Sequence, residues 1–132
     1  MSMSNYQENK ILDHVYGGPD FTRPATLYVS LHSANPGDTG VNEILLPIGR
    51  KPVTNNSTNF PAASGGSKSM MLMLDFGSTV GNNSWPLATH LCIWDASTGG
   101  NLLDCGAFTT PLATADRLNI IVNAAAVVIT RD

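Results

Sequence analysis

Charge is what this sequence has least of. Lys+Arg 7 and Asp+Glu 10 make up 13% of its 132 residues, about half the usual share of roughly 25%. Charge keeps small domains soluble and apart. A chain this poor in it suits life packed against other chains, so an assembly subunit is the first reading. Basic residues are the scarcer sign. The densest cluster is the pair Arg50-Lys51, and the formal net charge is −3. That excludes nucleic acid as the main partner, because phosphate binding needs a basic stripe. Long apolar runs are missing as well. The longest, Ile120 to Ile129, is interrupted by Asn123 and is too short to cross a bilayer, so no membrane partner is expected. The start, MSMSNYQENK, shows no basic region followed by an apolar stretch and reads as lacking a signal peptide. Synthesis in the cytoplasm is the expectation, and Cys92 and Cys105 read by default as reduced thiols.

In place of charge there is Gly, Pro, Ser, Thr and Asn. One helix signal stands at the N-terminus. Ser4 is placed to cap it, and Gln7 lies three residues later at capping-box spacing. Ile11, Leu12 and Val15 form a narrow apolar stripe, and Gly17-Gly18-Pro19 ends the helix. A helix this short is marginal alone in water, so the stripe is expected to dock. Beyond it the pattern is β. Ala25 to Ser33 alternates, with Leu27, Val29 and Leu31 on one face and Thr26, Tyr28, Ser30 and His32 on the other, as in a half-buried strand. ANPGDTG, residues 34–40, reads as a surface loop. A short element over Arg50 to Thr54 is confined to a sheet edge by Pro52. Asn55 to Lys68 has almost nothing to bury except Phe60 and reads as a long loop, or as an arm ordered on a neighbour. Ser69 to Phe76 is a Met-rich strand whose Met70, Met71 and Met73 suit an adaptable contact surface. Ala88 to Asp95 and Leu102 to Thr109 form a hairpin around ASTGGN, and Leu118 to Val122 and Ala124 to Thr130 supply another apolar pair around Asn123. There is no internal repeat. The expected fold is mainly β: a single antiparallel β-sandwich or jelly roll over residues 19–132, with a helix and cap over residues 1–18.

Sites for chemistry are sparse. His14, His32 and His90 have no metal-ligand spacing and read as polar surface or strand-edge residues. Cys92 and Cys105 are not a CxxC pair. With the turn centred between Thr98 and Gly99, Cys92 opposes Cys105 and Asp95 opposes Leu102. Opposed residues have Cα atoms about 4.5–5.5 Å apart, within disulfide reach, so the two form a candidate cross-strand thiol pair. Asp95 and Asp104 flank that turn and read as turn formers. Ser64-Gly65-Gly66-Ser67 lacks the lysine of a phosphate loop. Asn56 and Asn82 begin glycosylation sequons, read as chance matches in polar loops. No nucleophile–base pair or metal set can be assembled, so no catalytic, cofactor or metal residue is expected. Trp85, Trp94 and Tyr28 offer stacking faces for sugar rings, against a plainer reading of Trp94 as core and Trp85 as part of a turn.

Three stretches, SNYQENKILDHVYGG, RPATLYVSLHSANPGDTG and THLCIWDASTGGNLLDCGAFTTP, together resemble small virion proteins of tailed bacteriophages. Relatives of this kind carry a tail-fibre-like label, and some look like capsid cement or decoration proteins. Ile44 to Phe60 and the Met-rich strand depart from the glycine-rich middle usual there. The resemblance implies a non-enzymatic β-sandwich subunit of the virion. Its first reading is a cement or decoration subunit on the capsid surface, bound to the major capsid protein and to copies of itself. The alternative is a tail-fibre or tail-tip component, with glycan binding at the host surface. Ile11, Leu12, Val15, Phe60, Met70, Met71 and Met73 are the candidate interface residues.

Overall fold

A computed structural model describes residues 1–45, 49–78, 86–113 and 119–131. Its centre is the hairpin foreseen from ASTGGN. Strand β6 (Ala88–Trp94) runs antiparallel to β7 (Leu102–Leu112). On the other side of β6 lies β2 (Thr26–His32), and β3 (Lys51–Thr54) closes that edge. Pro52 has no N–H to donate, which fits its place on an edge strand. A two-residue strand, β1 (Ser2–Met3), pairs with β7 at the opposite edge. The sheet order is therefore β1-β7-β6-β2-β3.

The second layer is two short ribbons. β4 (Ser67–Met70) pairs with β9 (Val127–Thr130), and β5 (Leu74–Asp75) with β8 (Ile121–Val122). The Met-rich segment is thus not one strand: it breaks over Met71 to Met73, where the chain passes from one ribbon to the other. Leu27, Val29, Val53 and Ile93 of the sheet meet Met70, Leu74, Val122 and Val127 of the ribbons in one buried cluster. Antiparallel sheets and one short helix around a single core match the mainly β expectation. Among the described residues the covering layer is two ribbons rather than a second full sheet.

Helix α1 spans Asn5–Val15. Ser4 Oγ accepts from the Gln7 N–H at 3.2 Å, as the cap requires. At the other end Gly17, at φ 89°, allows a left-handed turn, and the Gly18 N–H reaches the Asp13 carbonyl at 2.7 Å. That six-to-one bond is a Schellman ending. The helix is pinned to β7 by its cap. The Ser4 N–H donates to the Leu103 carbonyl at 2.9 Å and its hydroxyl to the Leu102 carbonyl. These two carbonyls sit at a β-bulge, where pairing passes from Ile93↔Asp104 to Trp94↔Leu102 and skips Leu103. The bulge sends Leu103 to the main core and Leu102 to a second cluster with Trp94 and Cys92.

Candidate functional site

The helix stripe is an exposed apolar feature. No residue of α1 is buried. Tyr6 packs against the core, whereas Ile11, Leu12 and Val15 face outward, Leu12 and Val15 more than half exposed. Tyr16 joins them at 78% exposure. Positions 11, 12, 15 and 16 are one turn apart and lie side by side, so they form one apolar patch on the C-terminal half of the helix. Sequence periodicity found three of the four; Tyr16 was missed because it sits at the C-cap, beyond the helical stripe. Contiguous exposed apolar patches of this kind are characteristic of contact surfaces.

The methionines divide between core and surface. Met70 is fully buried and Leu72 packs on the core, whereas Met71 and Met73 are about half exposed. Alternation of an extended backbone explains this. Met70 is therefore core rather than interface. Phe60 is also core, 5% exposed. Its N–H bonds to the Asn56 carbonyl, and Asn59 Nδ2 donates to the Thr54 carbonyl. Asn55 Nδ2 holds the Pro24 carbonyl at 2.8 Å. The 55–68 segment is a braced loop around a buried aromatic, not an arm waiting for a neighbour.

Beneath loop 33–45 lies a polar network built on the outer face of β2 and β6. Trp94 Nε1 donates to Ser30 Oγ at 2.8 Å, and Ser30 Oγ lies 2.7 Å from His32 Nε2. His32 Nδ1 is 2.8 Å from the Val41 carbonyl. A carbonyl only accepts, so Nδ1 carries the proton. Nε2 must then accept, and the Ser30 hydroxyl donates to it. Every polar atom in the chain from Trp94 to Val41 is satisfied with a neutral imidazole. Arg50 lies over the Trp94 ring at 3.7 Å and grips Glu43 through Nε at 2.7 Å and Nη2 at 2.9 Å. Its Nη1 reaches the Ala96 and Gly99 carbonyls, each at 2.8 Å. On the ring's edge sits Gly40, at φ 71°, where a Cβ would strike the indole. Trp94 is thus enclosed and has no free face for a sugar. Tyr28 is half-buried against the same cluster, and Trp85 lies outside the described residues. This network also buries Ser30 and His32, so β2 is covered on both faces over its second half.

The histidines are not a metal centre. His32 and His90 are cross-strand partners, a juxtaposition invisible in the sequence, but His90 Nδ1 is engaged by Thr89 Oγ1 at 2.8 Å. His14 accepts from the Phe21 N–H and faces Asp20 at 3.5 Å. Among the described residues no three His, Cys, Asp or Glu side chains gather to hold a metal.

Burial holds the His32 imidazole below its usual pKa, with Arg50 and His90 acting the same way, against the Val41 carbonyl and Glu43. As pH falls through about 6.5, the ordinary histidine value, the unfolded chain takes up a proton that the folded site resists. Stability present above that pH is therefore lost below it. Asp104 works oppositely. Burial raises its carboxyl above the usual range, partly offset by Arg131 at 2.6 Å, so it gains stability only at more acidic pH. The melting temperature is expected to fall from pH 7 to pH 5.5, and His32→Gln to flatten that slope. Parallel profiles for the two proteins would refute the role given to His32.

The hairpin joins Cys92 to Cys105 in a disulfide with Cα atoms 4.2 Å apart, and no described cysteine is free. The register Cys92↔Cys105 is the one drawn from the turn, but the reduced state expected from compartment is not what the structure contains. Asp95 does not oppose Leu102, because the Leu103 bulge shifts the pairing. Asp95 does form the turn, taking the Asn101 N–H at 2.6 Å and Asn101 Nδ2 at 2.8 Å. Asp104, by contrast, is a buried strand residue paired with Arg131.

Among the described residues there is an enclosed β core, an exposed apolar helix face and two surface methionines, and the buried histidine and carboxylates are tied up internally. That is equipment for binding neighbours. No curated protein matches the chain. The family model described as podophage GP4 fiber I protein gp80 matches residues 2–130. With nearly its whole length covered, this chain belongs to that family of phage fibre proteins, structural components of the virion and not enzymes.

Proposed function

We propose that the chain is a fibre subunit on the virion of a tailed phage, held in place through the α1 patch and the Met71–Met73 surface. Membership of a fibre family over residues 2–130 carries this reading. It favours the fibre alternative over the capsid-cement reading that the low charge and the resemblance first suggested. The chemistry of the surface agrees with either location, since both need apolar faces that are covered on assembly. Its partners are neighbouring virion proteins and further copies of itself. Labelling of intact particles tests the location. Signal on projecting fibres at a few copies supports the proposal, whereas hundreds of copies spread evenly over the head return the cement reading. Particles assembled without the protein should keep their heat resistance and lose adsorption to cells.

The patch has its own test. Leu12 and Val15 are exposed in the subunit, and surface substitutions of this kind usually shift stability by no more than about 0.5 kcal/mol. The variant Leu12→Asp/Val15→Asp is expected to fold and melt like wild type but to be absent from purified particles. Each apolar side chain buried in a contact is worth roughly 1.5–3 kcal/mol, and a carboxylate there adds a desolvation cost. Normal incorporation of this variant would show that the helix face is not the contact.

A further inference from the structure

A second candidate contact lies away from the α1 patch, in a cavity of about 200 Å³ where β7, β9 and the 21–24 loop meet. Its floor is apolar, made by Leu27, Phe60, Ile93 and Ile129. Arg23, Lys68 and Arg131 line it together with one carboxylate, Asp104, so three of the seven basic residues of an acidic chain surround one small cavity. Only one of these charges is spent internally. Arg131 pairs with Asp104 at 2.6 Å, while among the described residues neither Arg23 nor Lys68 enters an ion pair. The rim is held in place: Lys68 is the cross-strand partner of Ile129, and the Arg131 N–H bonds to the Gly66 carbonyl.

Gln7 supplies an independent observation. In a capping box its side chain would accept the Ser4 N–H. Here the Ser4 N–H goes to the Leu103 carbonyl instead. Gln7 lines the cavity, and its Oε1 is buried with no hydrogen-bond partner in the protein. A buried acceptor left unpaired is costly, and an incoming N–H donor would satisfy it.

We infer that this cavity binds an apolar residue of a neighbouring protein chain that carries both a carboxylate and a backbone N–H. The apolar side chain fills the floor, the carboxylate meets Arg23 and Lys68, and the N–H meets Gln7 Oε1. The volume suits one side chain rather than a long acyl tail. The charge favours an acid, because the one carboxylate of the lining, Asp104, is already matched by Arg131 and leaves the Arg23 guanidinium and the Lys68 ammonium in excess at the rim. This inference does not depend on whether the subunit stands on a fibre or on the head.

N-acetyl-L-leucine has all three features and serves as the probe, titrated into the full-length, isotope-labelled protein and followed by NMR. A ligand of this size is expected to bind with Kd of about 1–5 mM, shifting signals of Gln7, Lys68 and Ile129. N-acetyl-L-leucinamide, which lacks the charge, and octanoate, which lacks the N–H, should each bind at least about fivefold more weakly, with the acid's advantage shrinking as salt rises. Arg23→Gln/Lys68→Gln should weaken N-acetyl-L-leucine by a similar factor while leaving the rest of the spectrum unchanged, and Gln7→Leu should weaken it while sparing octanoate. The inference is overturned if the cavity signals do not move, if acid and amide bind alike, if the double variant binds like wild type, or if octanoate binds as tightly with Gln7 indifferent. The last outcome would make the cavity a site for a small apolar acid instead of a peptide.

Discussion

Arg50→Ala should unfold this protein more readily than any other single surface-loop change. The guanidinium uses four of its N–H groups: two on Glu43 and two on the carbonyls of Ala96 and Gly99. Its plane also covers Trp94 at 3.7 Å. Both partners of the ion pair are enclosed, with side-chain exposures of 6% and 10%. Removing Arg50 leaves the Glu43 carboxylate buried without a counter-charge and strands two carbonyls. Breaking one side of a buried pair costs about 3–5 kcal/mol, and loss of the cation–π contact adds to it. For a domain of this size that corresponds to a fall in Tm of roughly 10–20 °C. Arg50→Lys is expected to recover only part of it, because an ammonium cannot reach Glu43 and both carbonyls as a fork does. Calorimetry of the three proteins decides the matter. A loss under about 1 kcal/mol for Arg50→Ala would mean that the loop closes without it.

The second large effect is on the disulfide. Cys92 and Cys105 are 13 residues apart, and closing a loop of that order in the unfolded chain is worth about 3 kcal/mol in the chain-entropy account. Cys92→Ala/Cys105→Ala should therefore lower Tm by roughly 10 °C while leaving the folded hairpin intact. The hairpin has other supports: the Asp95 turn, the Trp94 cluster and the helix cap on the Leu103 bulge. Reduction of the wild-type protein should reproduce the shift. If the oxidised and reduced proteins melt within a degree or two of each other, the bond adds nothing that the sheet does not already supply.

These two tests bear on function through what they leave free. The Arg50 cluster and the disulfide lock one side of the sheet, so aromatic rings that would be recognition surfaces elsewhere are consumed in holding a loop. Among the described residues, the exposed apolar groups include those of α1 and the Met71–Met73 segment, with others scattered at Val41, Leu45, Leu87, Ile121 and Val128. An assembly subunit with few charges must be rigid where it is not in contact and apolar where it is.

The local signals were enough for much of this. Ser4 and Gly17 bracket α1 because cap chemistry is decided within a few residues. The alternation of Leu27, Val29 and Leu31 announces β2, Pro52 announces an edge, and ASTGGN announces the hairpin with Cys92 opposite Cys105. Low charge and the lack of any catalytic grouping point to a binding subunit, and the family match agrees. Contacts between distant segments decided the rest. Phe60 and Met70 looked like surface because their neighbours in sequence are polar or flexible, yet the ribbons carry them into the core. Ser30 and His32 sit on the polar face of their strand, and only the return of loop 33–45 buries them. Arg50 meets Glu43 across a turn, and Trp94 from another strand, so no spacing rule finds the three together. Gln7 Oε1 is left unpaired beside the cavity because the Leu103 carbonyl at the bulge takes the Ser4 N–H that a capping box would have used. Local patterns specify elements through backbone preference and periodicity. Which polar groups are buried, paired or left over depends on which distant atoms arrive beside them, and that is settled only when the sheet and ribbons close on each other.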